Sequence, residues 1–257
     1  MFPSKTAVIS GGASTGDVFS NTFSLLLDGT DDRVDIGDES IYEFTYDDSY
    51  TISAWVYLTT LVGGSMVMSK AQTSGQYTGW YVYINGTTGL VDKALYSTSS
   101  SYRWKLRATD NAITINNWHH IILTHTYSSG HVGNIVIDGV KQTTSVQTGT
   151  LGTQDTRATS VDMSLGMRNT TNAGLTGYID ECAVWDVALD TPACIAVYNS
   201  GAPFDLRNDN GNYDEYTDDL IGYWRLEEGT GLTATDLGSG SNDGVVTGGA
   251  AWEKVTP

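Results

Sequence analysis

The sequence predicts an all-β sandwich of two antiparallel sheets with one short helix near residues 190–199. Three observations predict it. Short apolar or alternating runs recur along the chain with Gly, Asn and Asp between them, which is the pattern of strands joined by tight turns. The composition, with 29 Gly, 15 Tyr, 7 Trp and only 4 Pro, suits pleated strands and turns better than helices. One segment alone changes to a helical period, just after Asp190. A chain of 257 residues buries about 70–75% of its unfolded surface, so the core needs no covalent staples.

The elements follow in chain order. Residues 1–20 are small, Gly- and Ser-rich and without period, and read as an N-terminal arm or linker, with one folded unit over 21–257. Strands are expected at 23–27, 33–36, 50–58, 65–69, 80–84, 94–96, 102–107, 112–115 and 119–126. Ile135-Val136-Ile137-Asp138-Gly139-Val140-Lys141 is a hairpin, because Asp-Gly supplies the positive backbone angles of a two-residue turn. Asn85-Gly86 is a second such signal. Two more strands are expected at 164–167 and 177–185. Asp190 then reads as a helix N-cap with Pro192 in the first turn, and Cys194, Val197 and Tyr198 form one apolar face before Asn199-Ser200-Gly201 ends the run. Residues 203–219 are an acidic, Asn-rich loop. It lacks EF-hand register, since placing Gly211 at the sixth position puts Leu206 at the first. Residues 220–257 supply C-terminal strands that complete the sandwich.

A formal charge of −17 argues against DNA, RNA and anionic membranes as partners, because such affinity rests on Lys and Arg releasing counterions. The same charge attracts cations, Ca²⁺ among them. No stretch approaches the roughly 20 apolar residues of a spanning helix. The N-terminus lacks the basic start and apolar run of a signal peptide. Cys182 and Cys194 are the only cysteines, too few for a structural zinc site. Two buried free thiols are favoured over a disulfide. His119 and His125 should point to one face of their strand and His120 to the other, and packed histidines are favoured over a zinc site. Asn85-Gly86-Thr87 and Asn169-Thr170-Thr171 match the glycosylation sequon and are read as turns.

Five phrases occur together and in order: Leu27-Asp28-Gly29-Thr30-Asp31-Asp32, Ile52-Ser53-Ala54-Trp55-Val56, Trp118-His119-His120, Ile137-Asp138-Gly139, and Gly177-Tyr178-Ile179-Asp180-Glu181 leading to a helix that ends at Tyr198. With them, residues 23–201 resemble the laminin-G-like (LamG) branch of the concanavalin A-like lectin/glucanase jelly rolls. Leu220-Ile221-Gly222-Tyr223-Trp224-Arg225-Leu226-Glu227-Glu228-Gly229 is also similar to that family, although there it usually opens a domain. The resemblance implies either that residues 220–257 supply permuted strands of the same sandwich or that they begin a truncated repeat. The first is preferred, since an orphaned Tyr223-Trp224 strand exposes apolar surface.

The resemblance also implies site residues. Asp28 and Asp180 match acidic positions that hold a structural Ca²⁺ in the family. The plainer alternative is that Asp28 serves its own turn and Asp180 caps a backbone amide. Related glucanases carry Glu-x-Asp-x-Glu on one strand face, whereas Ile179-Asp180-Glu181-Cys182 breaks that spacing, so no catalysis is expected. Independently, a sugar site pairs ring faces with polar groups. The candidates are Trp80, Tyr81 and Tyr83 on one strand and Tyr102 and Trp104 on another, with about half of these rings facing the core. Arg103, Lys105 and Arg107 form a basic stripe on the face opposite Tyr102 and Trp104. That stripe suits either an anionic glycan or the acidic groups of a neighbouring subunit. The expected function is a non-catalytic virion surface protein, similar to LamG modules of marine phage structural proteins, a head or tail decoration or fibre module that uses its lectin-like jelly roll for assembly or host-surface glycan attachment. It is made without a signal peptide and joined through residues 1–20 to other virion proteins or to copies of itself as a homo-oligomer. A free-standing, Ca²⁺-dependent lectin that binds cell-surface glycans is the alternative, and a degenerate glycoside hydrolase is third.

Overall fold

The structure, a computed structural model, describes residues 19–72, 78–97, 103–168 and 173–257. In chain order the strands are β1 (Ser24–Asp28), β2 (Arg33–Gly37), β3 (Tyr50–Leu58), β4 (Ser65–Ala71), β5 (Gly79–Ile84), β6 (Val91–Tyr96), β7 (Arg103–Ala108), β8 (Trp118–Tyr127), β9 (His131–Ile137), β10 (Val140–Lys141), β11 (Thr144–Gly149), β12 (Met163–Leu165) and β13 (Thr176–Trp185). Helix α1 (Thr191–Tyr198) follows, then β14 (Leu220–Trp224), β15 (Thr233–Ala234), β16 (Gly244–Thr247) and β17 (Ala251–Glu253). They form two antiparallel sheets, the jelly-roll sandwich that the sequence predicts. The eight-stranded sheet runs β10-β9-β8-β3-β13-β1-β17, with β14 paired to β13 off that path, and the nine-stranded sheet runs β11-β7-β6-β5-β4-β12-β2-β16-β15. Strands from residues 220–257 enter both sheets, β14 on β13, β17 on β1 and β16 on β2.

Alternation along each strand builds the core between the sheets. Ile52, Ala54, Val56 and Leu58 of β3 face Trp80, Val82 and Ile84 of β5 across an interior closed by Trp224, Tyr42 and Leu25. In β13, Asp180 pairs with Trp55 but Ala183 with Ser53, so two residues oppose Ala54 alone, and Glu181 takes up this bulge at φ 45°. The bulge explains the run Ile179-Asp180-Glu181-Cys182. Ile179 and Cys182 both stay in the core while both acids leave it.

The outer face of the eight-stranded sheet carries a second apolar layer at one end. Ala193, Cys194 and Val197 of α1 pack with Leu206, Tyr213 and Trp185 over Ile122 and Val136. Helix α1 begins where its cap predicts, Asp190 accepting from the Ala193 amide at 2.8 Å, and ends at Asn199 in the left-handed region. Both cysteines are free and buried.

Four local expectations are corrected. Residues 112–115 form no strand, because the Ile113 amide bonds to the Gly89 carbonyl of the neighbouring loop and only the Ile113 side chain enters the core. The Asn85-Gly86 turn runs on to Leu90; Asn85 Oδ1 accepts from the amides of Thr87 and Thr88, and the positive φ falls at Gly89 instead. Within 203–219, Gly211–Asp219 is a 3-10 helix that buries Tyr213 rather than a loop throughout. Strand β11 has no counterpart among the expected strands; its polar Thr144–Gly149 sequence alternates too weakly, and pairing with β7 fixes it. The Asp138-Gly139 hairpin is a two-residue turn with φ of 51° and 73°.

Candidate functional site

Strands β5, β6 and β7 lie side by side in the nine-stranded sheet, and their registers sort every candidate ring. Trp80 pairs with Leu95 and Trp104 pairs with the same residue from the other side, which sends both indoles into the core at 1% and 3% exposure. The Trp80 Nε1 donates to the Tyr42 carbonyl at 2.9 Å. As ligand-contacting residues these two are therefore corrected: they are core rings. Tyr102 lies outside the described residues. Tyr81 and Tyr83 of β5 point outward and stay half-buried, beside Ala94 and Asp92 of β6, which in turn neighbour Lys105 and Arg107 of β7. Arg103, opposite Tyr96, completes the row.

The outer face is thus a patch in which aromatic and basic groups meet, and its electrostatics centre on Asp92. That carboxylate, fully buried beneath its neighbours, accepts from Arg107 through both oxygens at 2.6 and 2.7 Å and pairs with Lys105 Nζ at 2.8 Å. Such a bidentate pair fixes the orientation of the guanidinium relative to the carboxylate. Arg103 is exposed, and Arg168 sits with its guanidinium 5.7 Å from the centre of the Tyr81 ring. Tyr81 and Tyr96 stack at 5.7 Å, with their hydroxyls 3.1 Å apart. Burial and the neighbouring Tyr96 push the Tyr81 hydroxyl pKa up, so it stays protonated and able to donate. Four cations against one carboxylate make this face locally positive on a chain of net charge −17.

Sequence reasoning missed Tyr96, Asp92 and Arg168. The first two could have been found from the alternation of β6, in which Asp92, Ala94 and Tyr96 share a face; Arg168 lies on no strand and gave no signal. Lys93 was also unforeseen. It lies on the core side of β6, fully buried, bonded to the Thr124 carbonyl at 3.1 Å and 4.1 Å from the Tyr50 ring centre. Burial pushes its amine well below the usual lysine range.

The family model of the concanavalin A-like lectin/glucanases superfamily, in its laminin G form, matches residues 28–194. The chain belongs to this superfamily. Among solved structures, one neighbour of similar fold is a Bacteroides ovatus protein named as a candidate carbohydrate binder, with TM-score 0.62 and 16% identity over 92% of this chain. The present chain spans 61% of that protein's length. Another is the carbohydrate-binding module (CBM40) of a Ruminococcus gnavus IT-sialidase bound to α2,3-sialyllactose, with TM-score 0.54 and 18% identity over 68% of this chain and 96% of that one. No curated protein matches the chain.

In this member of the superfamily, Asp28 and Asp180 do not converge. Asp28 pairs with Thr176 while Ile179 pairs with Leu25, so four residues of strand, about 13 Å, separate the two acids. Asp28 Oδ1 accepts from the Thr30 amide within its own turn, and its carboxylate lies within 4.8 Å of those of Asp31 and Asp32. Asp180 instead accepts from the Glu181 amide at 3.0 Å and from Asn21 at 3.0 Å. Burial first, and then the Glu181 charge, push the Asp180 carboxyl well above the usual range. Glu181 is pushed up to about 7 by burial, against the opposing pull of Arg225 and Tyr223, both of which it bonds. The cavity beside Glu181, lined by Trp55, His120 and Phe204, holds about 10 Å³, room for one water and not for a sugar. The histidines are packed as expected. His120 stacks on Trp55 at 4.7 Å, and His125 is held in the core against Tyr50 and Trp104.

Proposed function

We propose that this chain is a non-catalytic carbohydrate-binding module whose site is the outer face of the nine-stranded sheet, and that it takes an anionic glycan. The observation that carries this reading is the coincidence on one open face of the Tyr81, Tyr83 and Tyr96 rings with Arg103, Lys105 and Arg107. The rings offer apolar area to the C–H face of a pyranose, and a guanidinium offers paired donors to a carboxylate or sulfate. Asp92 orients Arg107 and Lys105 without cancelling the excess of positive charge. The non-catalytic part rests on Asp180 and Glu181, the raised carboxyls that could serve as a catalytic acid. Both are enclosed and bonded to Asn21, Tyr223 and Arg225, with no substrate-sized space beside them. Likeness to a module bound to a sialylated sugar is consistent with the anionic choice.

In this reading the module is displayed on a virion or other external surface and anchored through residues 1–20, as part of a homo-oligomer or a larger assembly. Support for an anchor comes from the clasp on the last residues of the arm and those that follow it. Arg225 donates to the Ser20 carbonyl and covers the Phe19 ring, while Glu227 accepts from the amides of Thr22 and Phe23. A structural Ca²⁺ is assigned to Asp28 with Asp31 and Asp32, because hard cations favour grouped carboxylate oxygens. The test is calorimetric titration of the full chain with α2,3-sialyllactose and with lactose at two salt concentrations, before and after chelation, with mass by light scattering. Binding of the acidic sugar alone, weakened by salt, supports the site. Equal binding of both sugars, or of neither, contradicts it.

A further inference from the structure

The opposite face of the sandwich carries a second surface with different chemistry. Trp118 of β8, Tyr57 of β3 and Tyr178 of β13 are register partners on three adjacent strands, Tyr57 standing between the other two. All three are half-buried and point outward. Their ring centres are 5.7 Å (Trp118 to Tyr57) and 5.5 Å (Tyr57 to Tyr178) apart. Leu26 of β1 and Ala251 of β17 continue the same row, both half-buried. Helix α1 and the 3-10 helix cover the other end of this sheet face and stop short of these residues.

Three features of this row point to a ligand. First, the polar tips Trp118 Nε1, Tyr57 Oη and Tyr178 Oη point outward with no hydrogen-bond partner among the described residues. Second, the row is flanked on the same face by the stacked rings of Trp55, His120 and Tyr198, one step along the strands. Third, it runs into a groove of about 450 Å³ in which Leu26 and Ala251 meet Asp28, Thr59 and Thr176. That volume lies within the range of small-molecule sites. The charged residues that line the groove, Asp28 and Asp32, are both acidic, which disfavours an anionic ligand there.

We propose that this aromatic shelf and its groove form a second binding site, for a neutral β-1,4-linked hexopyranose chain. Neighbouring strands lie about 4.8 Å apart, close to the length of one sugar unit in such an extended chain, so successive units lie over successive rings. The apolar faces of the sugars cover the rings. Their hydroxyls bond the indole N–H and the two phenol hydroxyls, and the next units enter the groove, where Thr59, Thr176 and Asp28 accept and donate. The site goes beyond the reading above and does not depend on the basic face.

The test is calorimetric titration of the full chain with cellohexaose and mannohexaose at low and high salt, alongside the variants Trp118→Ala and Tyr178→Phe, with melting temperature and light-scattering mass for each. The expected result is binding of at least one hexasaccharide that is insensitive to salt, weakened tenfold or more by Trp118→Ala and about threefold by Tyr178→Phe at unchanged mass. Tyr178→Phe removes a single exposed hydroxyl and so keeps the test valid even if Trp118→Ala unfolds. Absence of binding by both hexasaccharides overturns the proposal. So does binding that the two variants leave intact, and so does a fall in mass on Trp118→Ala, which assigns the shelf to contact between copies of the chain.

Discussion

The two outward faces of this sandwich are built from the same alternation and end with opposite characters. On the nine-stranded sheet the hydroxyls of the half-buried, outward-facing Tyr81 and Tyr96 bond each other, and the charges of Lys105 and Arg107 are tied to Asp92, so the face is polar, positive and internally bonded. On the eight-stranded sheet one end is closed by α1 and the 3-10 helix over Trp185 and Ile122, and the other leaves the tips of Tyr57, Trp118 and Tyr178 unbonded among the described residues. The difference teaches that strand period decides which way a residue points, whereas what lies above it is decided by segments distant in sequence.

The largest expected effect breaks the distinction between face and core. Trp80→Ala empties a core site and should cost about 3–5 kcal/mol, while Tyr83→Ala on the same strand should cost under about 1 kcal/mol, both read from denaturant unfolding. Equal costs would mean that the register of β5 is wrong. Next, Asp92→Asn removes the shared partner of Lys105 and Arg107 from beneath the positive face. A loss of about 1–3 kcal/mol is expected, together with weaker binding of an acidic sugar as Arg107 loses its bidentate hold.

Lys93→Met tests the core side of β6. A buried amine whose pKa is pushed down by desolvation costs stability below its ordinary pKa, because the unfolded chain binds the proton more tightly than the folded one. The variant should melt about 2–4 °C higher at pH 7, and a lower melting temperature would show that the contacts to Tyr50 and Thr124 outweigh that cost. A pH-dependent effect concerns Glu181, whose folded pKa is raised from 4.5 to about 7. A raised carboxyl pKa contributes stability that is present below about pH 4.5 and lost as pH rises towards 7. His120, held down to about 3, and His125, held down to about 2, tilt the profile the other way below pH 6.5. The informative quantity is therefore the stability of the wild type minus that of Glu181→Gln, which should decline between pH 5 and pH 7.5.

Much of this fold was legible because its signals are local. Strand β3 spans Tyr50–Leu58 as the apolar run predicts, Asp138-Gly139 makes the expected turn, and Asp190 caps the expected helix. Strand β11 and the 3-10 helix at Gly211–Asp219 were not legible, since their sequences are polar and only pairing with β7 or packing of Tyr213 fixes them. At the candidate site, alternation placed Arg103, Lys105 and Arg107 opposite Trp104 correctly, but it could not choose between the two faces for Trp80 against Tyr81. The separation of Asp28 from Asp180 depends on the offset between β1 and β13, which no single-strand pattern contains. The shelf escaped notice for the same reason, its three rings being far apart in sequence.

The measurement that tests the central claim most directly is chemical-shift mapping of the backbone amides during titration with α2,3-sialyllactose. The account predicts perturbations concentrated on β5, β6 and β7 around Tyr81, Tyr96 and Arg103 and suppressed in an Arg103→Ala, Lys105→Ala double variant. Perturbations confined to β3, β8 and β13, or unchanged in that variant, would contradict it.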